Sequence, residues 1–144
     1  MKNTNRCRVL LIDPDAYWIK FALDTLKRRG ISAQGTTDLD KIGRAFRLIH
    51  GPQLTLVNLE FAENSPDQLR RLAQSGDRHV VVLFPTSLTP YEMSRVFKLG
   101  VYDCVDKPYD AQSLVRLVES LVKEICSHNQ NTVASLTNSC LPVP

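Results

Sequence analysis

Four residues stand where predicted strands end, and their side chains decide what chemistry that edge can do: Asp13, Asn58, Phe84 and Lys107. In open α/β sheets, ligands bind at the edge formed by the carboxyl ends of the strands. An unpaired lysine is costly to bury, so we expect Lys107 to pair with the carboxylate of Asp13; the alternative is a solvated Lys107. Asp106 should point away, because neighbouring strand residues face opposite sides of a sheet.

Five segments with the apolar composition of strands carry these residues. They are residues 8–12, 31–35, 53–58, 79–84 and 101–105, and the fourth is apolar nearly throughout, as in a strand covered on both faces. Helical patterns separate them. The first helix ends at Gly30, the second covers residues 38–50, and the others begin at Ser65, Thr89 and Asp110. Strand and helix alternate five times, which predicts a doubly wound, five-stranded parallel sheet with helices on both faces.

Apolar spacing also predicts which side chains the later helices bury. For the fourth helix these are Met93, Val96, Phe97 and Leu99, and for the fifth they are Leu114, Leu117, Val118, Leu121, Val122 and Ile125. From residue 127 the chain is rich in Asn, Ser and Thr and has no periodic apolar face. We therefore expect one domain over residues 1–126 and a disordered tail or linker over residues 127–144.

Composition excludes several classes of protein. The 144 residues are 43% hydrophobic and 23% charged, as in an ordinary globular domain, and the formal charge of +3 is too small to indicate nucleic-acid binding. No apolar run is long enough to span a membrane, and the N-terminus lacks a signal-peptide pattern. The four cysteines show no metal-site spacing, so we expect a cytoplasmic protein with reduced thiols, no metal and no cofactor. Arg28, Arg29, Arg44 and Arg47 could form basic patches, although a solvated helix surface is the simpler interpretation.

The chain resembles the receiver domain of bacterial two-component response regulators over residues 8–125. The match rests on the first strand ending at Asp13, the third ending at Asn58, the fourth ending at Phe84, and the segment from Gly100 to Tyr109. That last segment follows the family pattern Gly-Ala-x-x-Tyr-x-x-Lys-Pro-Phe and is the most specific match. The resemblance implies a flavodoxin-like fold with strand order 2-1-3-4-5.

In that family a kinase's phosphohistidine transfers its phosphoryl group to an aspartate, assisted by Mg²⁺ and a lysine. This sequence keeps the lysine and one acid, and departs from the pattern elsewhere. Asn58 stands at the acceptor position, and an amide is neither a carboxylate nucleophile nor a charged ligand for Mg²⁺. Pro14 stands at the second acidic position, while Asp15 is better placed to cap the first helix. Phe84 replaces the phosphate-binding hydroxyl, and Cys104 replaces the switch aromatic.

These departures lead to the hypothesis of a pseudo-receiver, a regulatory module that binds proteins without a phosphorylation cycle. Phe84 either fills the vacated pocket, with Cys104 making room, or is simply a core residue of the fourth strand. The alternative function is an atypical response regulator controlled by a small ligand or another modification; the N-terminal part of a transcriptional regulator would fit this alternative. No nucleotide-binding or hydrolase motif is present, so we do not expect an enzyme.

The resemblance also implies an interaction surface. It is formed by the fourth helix, fifth strand and fifth helix, through which receivers commonly dimerise or dock. In this sequence it comprises Tyr91, Arg95, Lys98, Tyr102, Cys104, Tyr109, Gln112, Arg116 and Glu119. We expect a protein partner or a second copy of the chain there, with no membrane and no direct nucleic-acid contact.

Overall fold

Strands and helices alternate along the computed structural model, which describes residues 8–41, 53–74 and 78–138, with side chains as far as residue 126. The elements are β1 (Arg8–Ile12), α1 (Ala16–Arg28), β2 (Ala33–Thr36), a 3₁₀ turn (Leu39–Lys41), β3 (Gln53–Asn58), α2 (Leu59–Asn64), α3 (Pro66–Ala73), β4 (Arg78–Phe84), α4 (Pro90–Phe97), β5 (Asp103–Asp106) and α5 (Ala111–Asn138).

The five strands form one parallel sheet in the order β2-β1-β3-β4-β5, which confirms the predicted fold. The order reverses between β1 and β3, where Ile12 lies beside Val57. The loops after those two strands leave in opposite directions, which opens a crevice at the carboxyl edge of the sheet. Asp13 and Asn58 lie at this point, and Lys107 follows β5 at the same edge.

Each face of the sheet has its own hydrophobic core, because alternate strand residues point to opposite sides. One face packs against α1 and α5, through residues such as Leu11, Leu56 and Leu83. The other packs against α2, α3 and α4, through residues such as Ile12 and Val82. The sheet is therefore covered on both sides, and it holds the residues at its carboxyl edge on a rigid support.

Capping side chains set the starts of α1, α4 and α5 as the sequence indicates, whereas Ser65 stands at the N-cap of α3 without a side-chain capping hydrogen bond. Asp15 accepts hydrogen bonds from the backbone N–H groups of Tyr17 and Trp18 at 3.0 and 3.1 Å, which confirms its expected role as the cap of α1. Thr89 and Glu92 form a reciprocal capping box at the start of α4. Asp110 accepts a bond from the backbone N–H of Ser113 at 3.0 Å.

Several elements differ from the sequence-based predictions. Most of the helix predicted over residues 38–50 lies outside the described residues. Within the described residues, its start is a 3₁₀ turn at Leu39–Lys41. Helix α2 was not predicted; it begins directly after Asn58. Phe97 was expected to be buried, but its side chain is 42% exposed, because it lies at the end of α4 and turns away from the sheet.

The last helix also runs further than predicted. It continues to Asn138, so residues 127–138, which were assigned to the tail, are helical. These polar residues have no periodic apolar face that would predict packing against the core. However, no glycine or proline interrupts the chain before Pro142. Polar residues without helix breakers can extend a helix that a packed segment has already nucleated. Residues 139–144 lie outside the described residues.

Gly35 on the edge strand β2 is expected to be intolerant of a side chain. A Cβ placed there would lie 2.8 Å from a methyl carbon of Ile19, which anchors α1 on the sheet. Gly35→Ala should therefore lower the free energy of unfolding by about 1–3 kcal/mol, through overpacking. Urea denaturation would measure this, with Gly30→Asn as a control: no atom lies within 4 Å of a Cβ added at Gly30, and asparagine adopts its positive φ of 74° at a smaller cost than other side chains. A Gly35→Ala midpoint equal to that of the wild type would contradict this packing.

Candidate functional site

Asp13 is the centre of the candidate site. It follows β1, its side chain is almost fully buried, and its two oxygens accept three hydrogen bonds or ion contacts. Oδ1 accepts from the backbone N–H of Asp15 at 2.8 Å, while Oδ2 lies 3.0 Å from Nδ2 of Asn58 and 2.7 Å from Nζ of Lys107. Burial of this carboxylate is offset because each oxygen has a close donor.

Lys107 supplies the positive charge of the site. Its backbone N–H donates to the carbonyl of Phe84 at 2.9 Å, which fixes the chain where β5 ends. Its side chain is buried, and the 2.7 Å contact with Asp13 confirms the predicted pair over a solvated lysine. Nζ also lies 4.7 Å from the ring centre of Trp18 and 5.6 Å from that of Tyr109. The ammonium group is thus held by one carboxylate and two aromatic rings.

Asn58 connects the ion pair to the following helix. Its Oδ1 accepts from the backbone N–H of Glu60 at 2.8 Å, so it caps α2, while its Nδ2 donates to Asp13. A carboxylate at this position has no N–H to donate and would place a second negative charge beside Asp13. The amide therefore suits a site that contains one acid and one lysine.

Pro14 and Asp15 bring no second carboxylate to Asp13. Pro14 is exposed, and the Asp15 carboxylate is engaged in capping α1. Within residues 8–41, 53–74 and 78–126, no group of three or more His, Cys, Asp or Glu side chains is arranged to hold a metal ion. Asp13 and Lys107 thus form an ion pair with no net charge, and the side-chain amide of Asn58 donates a hydrogen bond to Asp13.

Phe84 and Cys104 belong to the core beside this edge. Both side chains are buried in the cluster that faces α2, α3 and α4, together with Ile12 and Val82. Cys104 was included in the predicted interaction surface, but it is only 7% exposed and lies beneath that surface. Successive side chains of β5 point to opposite faces of the sheet. Cys104 lies beside Val82 of β4, and both side chains face the same core.

The Cys104 thiol is expected to be chemically inert near neutral pH. Burial, with a smaller contribution from the charge of Asp103, raises the pKa of the Cys104 thiol to about 11. Because the thiolate is the reactive form, alkylation of Cys104 by iodoacetamide should be slow at pH 7 and should accelerate only as the pH approaches that pKa. Peptide mapping by mass spectrometry would measure it, with the half-buried Cys126 as an internal control. Modification of Cys104 as fast as Cys126 at pH 7 would contradict the burial.

The remaining predicted surface residues fall into two groups. Tyr91, Arg95, Lys98 and Tyr102 lie on α4 and beside β5, where Arg95 stacks over the Tyr91 ring at 5.9 Å. The Tyr102 hydroxyl bonds to Glu124, which raises the pKa of Tyr102 to about 12. Two members of this group, Tyr91 and Tyr102, are exposed aromatic side chains, and Phe97, which was expected to be buried, is a third exposed aromatic side chain on α4.

The second group points elsewhere. Gln112, Arg116 and Glu119 line a groove between α1 and α5, on the side of α5 that faces α1 rather than α4. Tyr109 stays near the sheet edge, beside Lys107. The predicted surface is therefore not one continuous face: its α4–β5 part is distinct from its α5 part.

Sequence reasoning missed the contribution of Trp18. No role at the site was predicted for Trp18, yet its ring covers Lys107 and its Nε1–H donates to the carbonyl of Pro108 at 2.8 Å. A buried tryptophan N–H needs an acceptor, and that need was the available signal. The contact ties α1 to the loop after β5 and closes one side of the site.

Comparisons with known proteins identify the fold. No protein-family model matches the sequence, and no curated protein matches it significantly. Among solved structures, a response regulator from Thermotoga maritima has a TM-score of 0.68 at 19% identity, covering 81% of this chain and 97% of that one. An orphan response regulator of H. pylori gives 0.65 at 23% identity, covering 79% and 94%.

A third similar structure is the signal receiver domain of an HD domain-containing protein from Pseudomonas fluorescens Pf-5. Its TM-score is 0.71 at 16% identity, and the match covers 90% of this chain and 96% of that one. The likeness confirms the flavodoxin-like receiver fold expected from the sequence. None of the helices described in the structure is long and apolar enough to cross a membrane.

Proposed function

Because the chain has the fold of response regulator receiver domains, we propose that it is a regulatory module of signal transduction that binds proteins without being phosphorylated. The observation that carries the proposal is the closed arrangement around Asp13, whose carboxylate is neutralised by Lys107 and braced by Asn58. In this proposal the module works in the cytoplasm and is not an enzyme.

The site lacks the chemical groups that phosphoryl transfer requires. The transfer needs a nucleophile aligned with the phosphorus atom and cations that neutralise the transferred charge. The Asn58 amide is a poor nucleophile, and its nitrogen lone pair is delocalised into the carbonyl group. Phe84 has no hydroxyl to donate to a bound phosphoryl group. Asn58 therefore leaves the reaction without an acceptor, and Phe84 leaves it without a hydroxyl group that could bind the phosphoryl oxygens.

Mg²⁺ binding is opposed by the same contacts. Mg²⁺ requires a near-octahedral set of oxygen ligands, which receiver-type chemistry draws from carboxylates. The Asp13 carboxylate is the acidic group buried at this edge among the described residues, and Lys107 lies 2.7 Å from it. A divalent ion would have to displace the ammonium group and leave Lys107 buried without its partner.

Tryptophan fluorescence offers a direct test of metal binding. Trp18 is the sole tryptophan of the chain, and its ring lies 4.7 Å from Nζ of Lys107. Titration with MgCl₂ should leave the emission of the wild type unchanged after correction for ionic strength with NaCl. Asn58→Asp restores a second carboxylate and should produce a saturable change. A saturable change in the wild type would contradict the proposal.

The α4–β5 side, defined by Tyr91, Arg95, Phe97, Lys98 and Tyr102, is the proposed docking surface. It combines exposed aromatic rings with two cations, and aromatic and cationic side chains are enriched where proteins bind each other. In the proposal it binds a second copy of the chain or another protein. Its constitutive exposure replaces the switching that phosphorylation would provide.

Sedimentation velocity can test this surface. If the chain self-associates, Phe97→Glu should weaken the association at least about tenfold, because a charge would be buried in an apolar contact. Tyr17→Glu is the matched control, since Tyr17 is exposed on α1. Adding acetyl phosphate and Mg²⁺ should not change the wild-type distribution. Self-association that survives Phe97→Glu, or that depends on acetyl phosphate, would argue against the proposal.

A further inference from the structure

A second candidate surface lies away from both the Asp13 site and the α4–β5 side. It is a groove of about 500 Å³ between the carboxyl-terminal half of α1 and the first turns of α5. Its walls carry three arginines, Arg28, Arg29 and Arg116, and its floor includes the buried side chains of Thr25 and Val115. From the sequence, Arg28 and Arg29 were interpreted as a solvated helix surface, whereas Gln112, Arg116 and Glu119 were placed in the predicted interaction surface.

The charges of the groove are not balanced. Arg29 forms an ion pair with Glu119 at 3.1 Å, and both side chains are about half exposed. Arg28 and Arg116 are exposed and make no hydrogen bond or ion pair with any other side chain that the structure describes. The groove therefore presents two guanidinium groups whose donors face solvent, beside one pair that is already satisfied.

The floor and one wall add contacts of another kind. Val115 and Thr25 provide an apolar base with a hydroxyl group, and the Gln112 amide can both donate to and accept from a peptide backbone. No aromatic side chain lines the groove among the described residues, and Glu119 places a negative charge at its rim. Surfaces that bind single-stranded nucleic acid rely on stacking platforms and continuous positive charge, so these features favour a peptide.

We propose that this groove docks an acidic segment of a partner protein. Two carboxylates of the segment pair with Arg28 and Arg116, for which the planar guanidinium is well suited, and its backbone lies against Gln112 and Val115. The surface is separate from the α4–β5 side, so the chain can hold two proteins at once. The inference does not depend on whether the Asp13 site accepts a phosphoryl group.

Fluorescence anisotropy on the full chain tests the proposal. The probes are fluorescein-labelled peptides that share one scaffold and differ only in how many of their glutamines are replaced by glutamate. Affinity should rise with the number of glutamates and fall as salt is added. Arg28→Gln and Arg116→Gln should each weaken binding about two- to fivefold, with the factors multiplying in the double variant.

Two further variants separate docking from general charge effects. Lys20→Gln with Lys123→Gln removes the same charge from exposed positions outside the groove and should leave the affinity unchanged. Glu119→Gln should strengthen binding about two- to fivefold, because it removes the rim charge and frees Arg29; a gain of binding cannot arise from misfolding.

Three results would overturn the proposal. They are the absence of glutamate-dependent binding, equal losses in the arginine and lysine double variants, and displacement of the peptide by a single-stranded oligonucleotide of equal charge at lower concentration. The first would leave the groove as a solvated surface, the second would indicate non-specific attraction, and the third would point to nucleic acid.

Discussion

Replacing Lys107 with methionine should lower the free energy of unfolding by about 3–5 kcal/mol. The change removes the ammonium group that lies 2.7 Å from the buried Asp13 carboxylate and leaves that charge to the Asn58 amide and one backbone N–H. A charge that loses its partner in a buried site keeps its full desolvation cost. Guanidinium chloride denaturation at pH 7 would measure the difference.

A double-mutant cycle sharpens this prediction. Asp13→Asn combined with Lys107→Met removes both charges, so the double variant should be destabilised by less than the sum of the single variants. Lys20→Met on the exposed face of α1 is the control and should change stability by no more than about 0.5 kcal/mol. A Lys107→Met variant as stable as this control would show that the pair is solvated.

Replacing Phe84 with alanine should lower the free energy of unfolding by about 3–5 kcal/mol. The side chain is 6% exposed and packs in the cluster that contains Ile12, Val82 and Cys104, so its removal leaves a cavity in the core at the end of β4. Tyr17→Ala, at an 88% exposed aromatic, is the matched control and should cost no more than about 0.5 kcal/mol.

Phe84→Thr tests whether this ring also fills the vacated pocket. Threonine brings back a hydroxyl group but leaves space beside Cys104. If Phe84 shields that space, Cys104 should be alkylated faster in the variant at pH 7, and binding through the α4–β5 side should weaken. Unchanged alkylation and unchanged binding would assign Phe84 to ordinary core packing.

The fold could be predicted from the sequence because its signals are local and repeated. Apolar strand runs such as residues 79–84, and caps such as Asp15 and Thr89, each set one element, and their alternation determines a parallel sheet. The elements that were not predicted depend on their surroundings in the fold. Helix α2 begins directly after a buried strand, and its only early signal is the capping side chain of Asn58.

The candidate site was predicted in part. The Asp13–Lys107 pair followed from the cost of burying an unpaired lysine, and the structure confirms it. The amide bridge from Asn58 and the cover from Trp18 did not follow, since both depend on which side chains three separate elements bring together. Burial of Cys104 could have been read from strand alternation, because Cys104 lies beside Val82 in the sheet.

Intact-mass spectrometry after incubation with acetyl phosphate and Mg²⁺ tests the central claim most directly. The expected result is a single species at the unmodified mass for the wild type, while Asn58→Asp, which restores an acceptor carboxylate, serves as the comparison. A stable phosphoryl adduct on the wild-type chain, mapped to the segment around Asn58, would contradict a site closed by Asp13, Asn58 and Lys107.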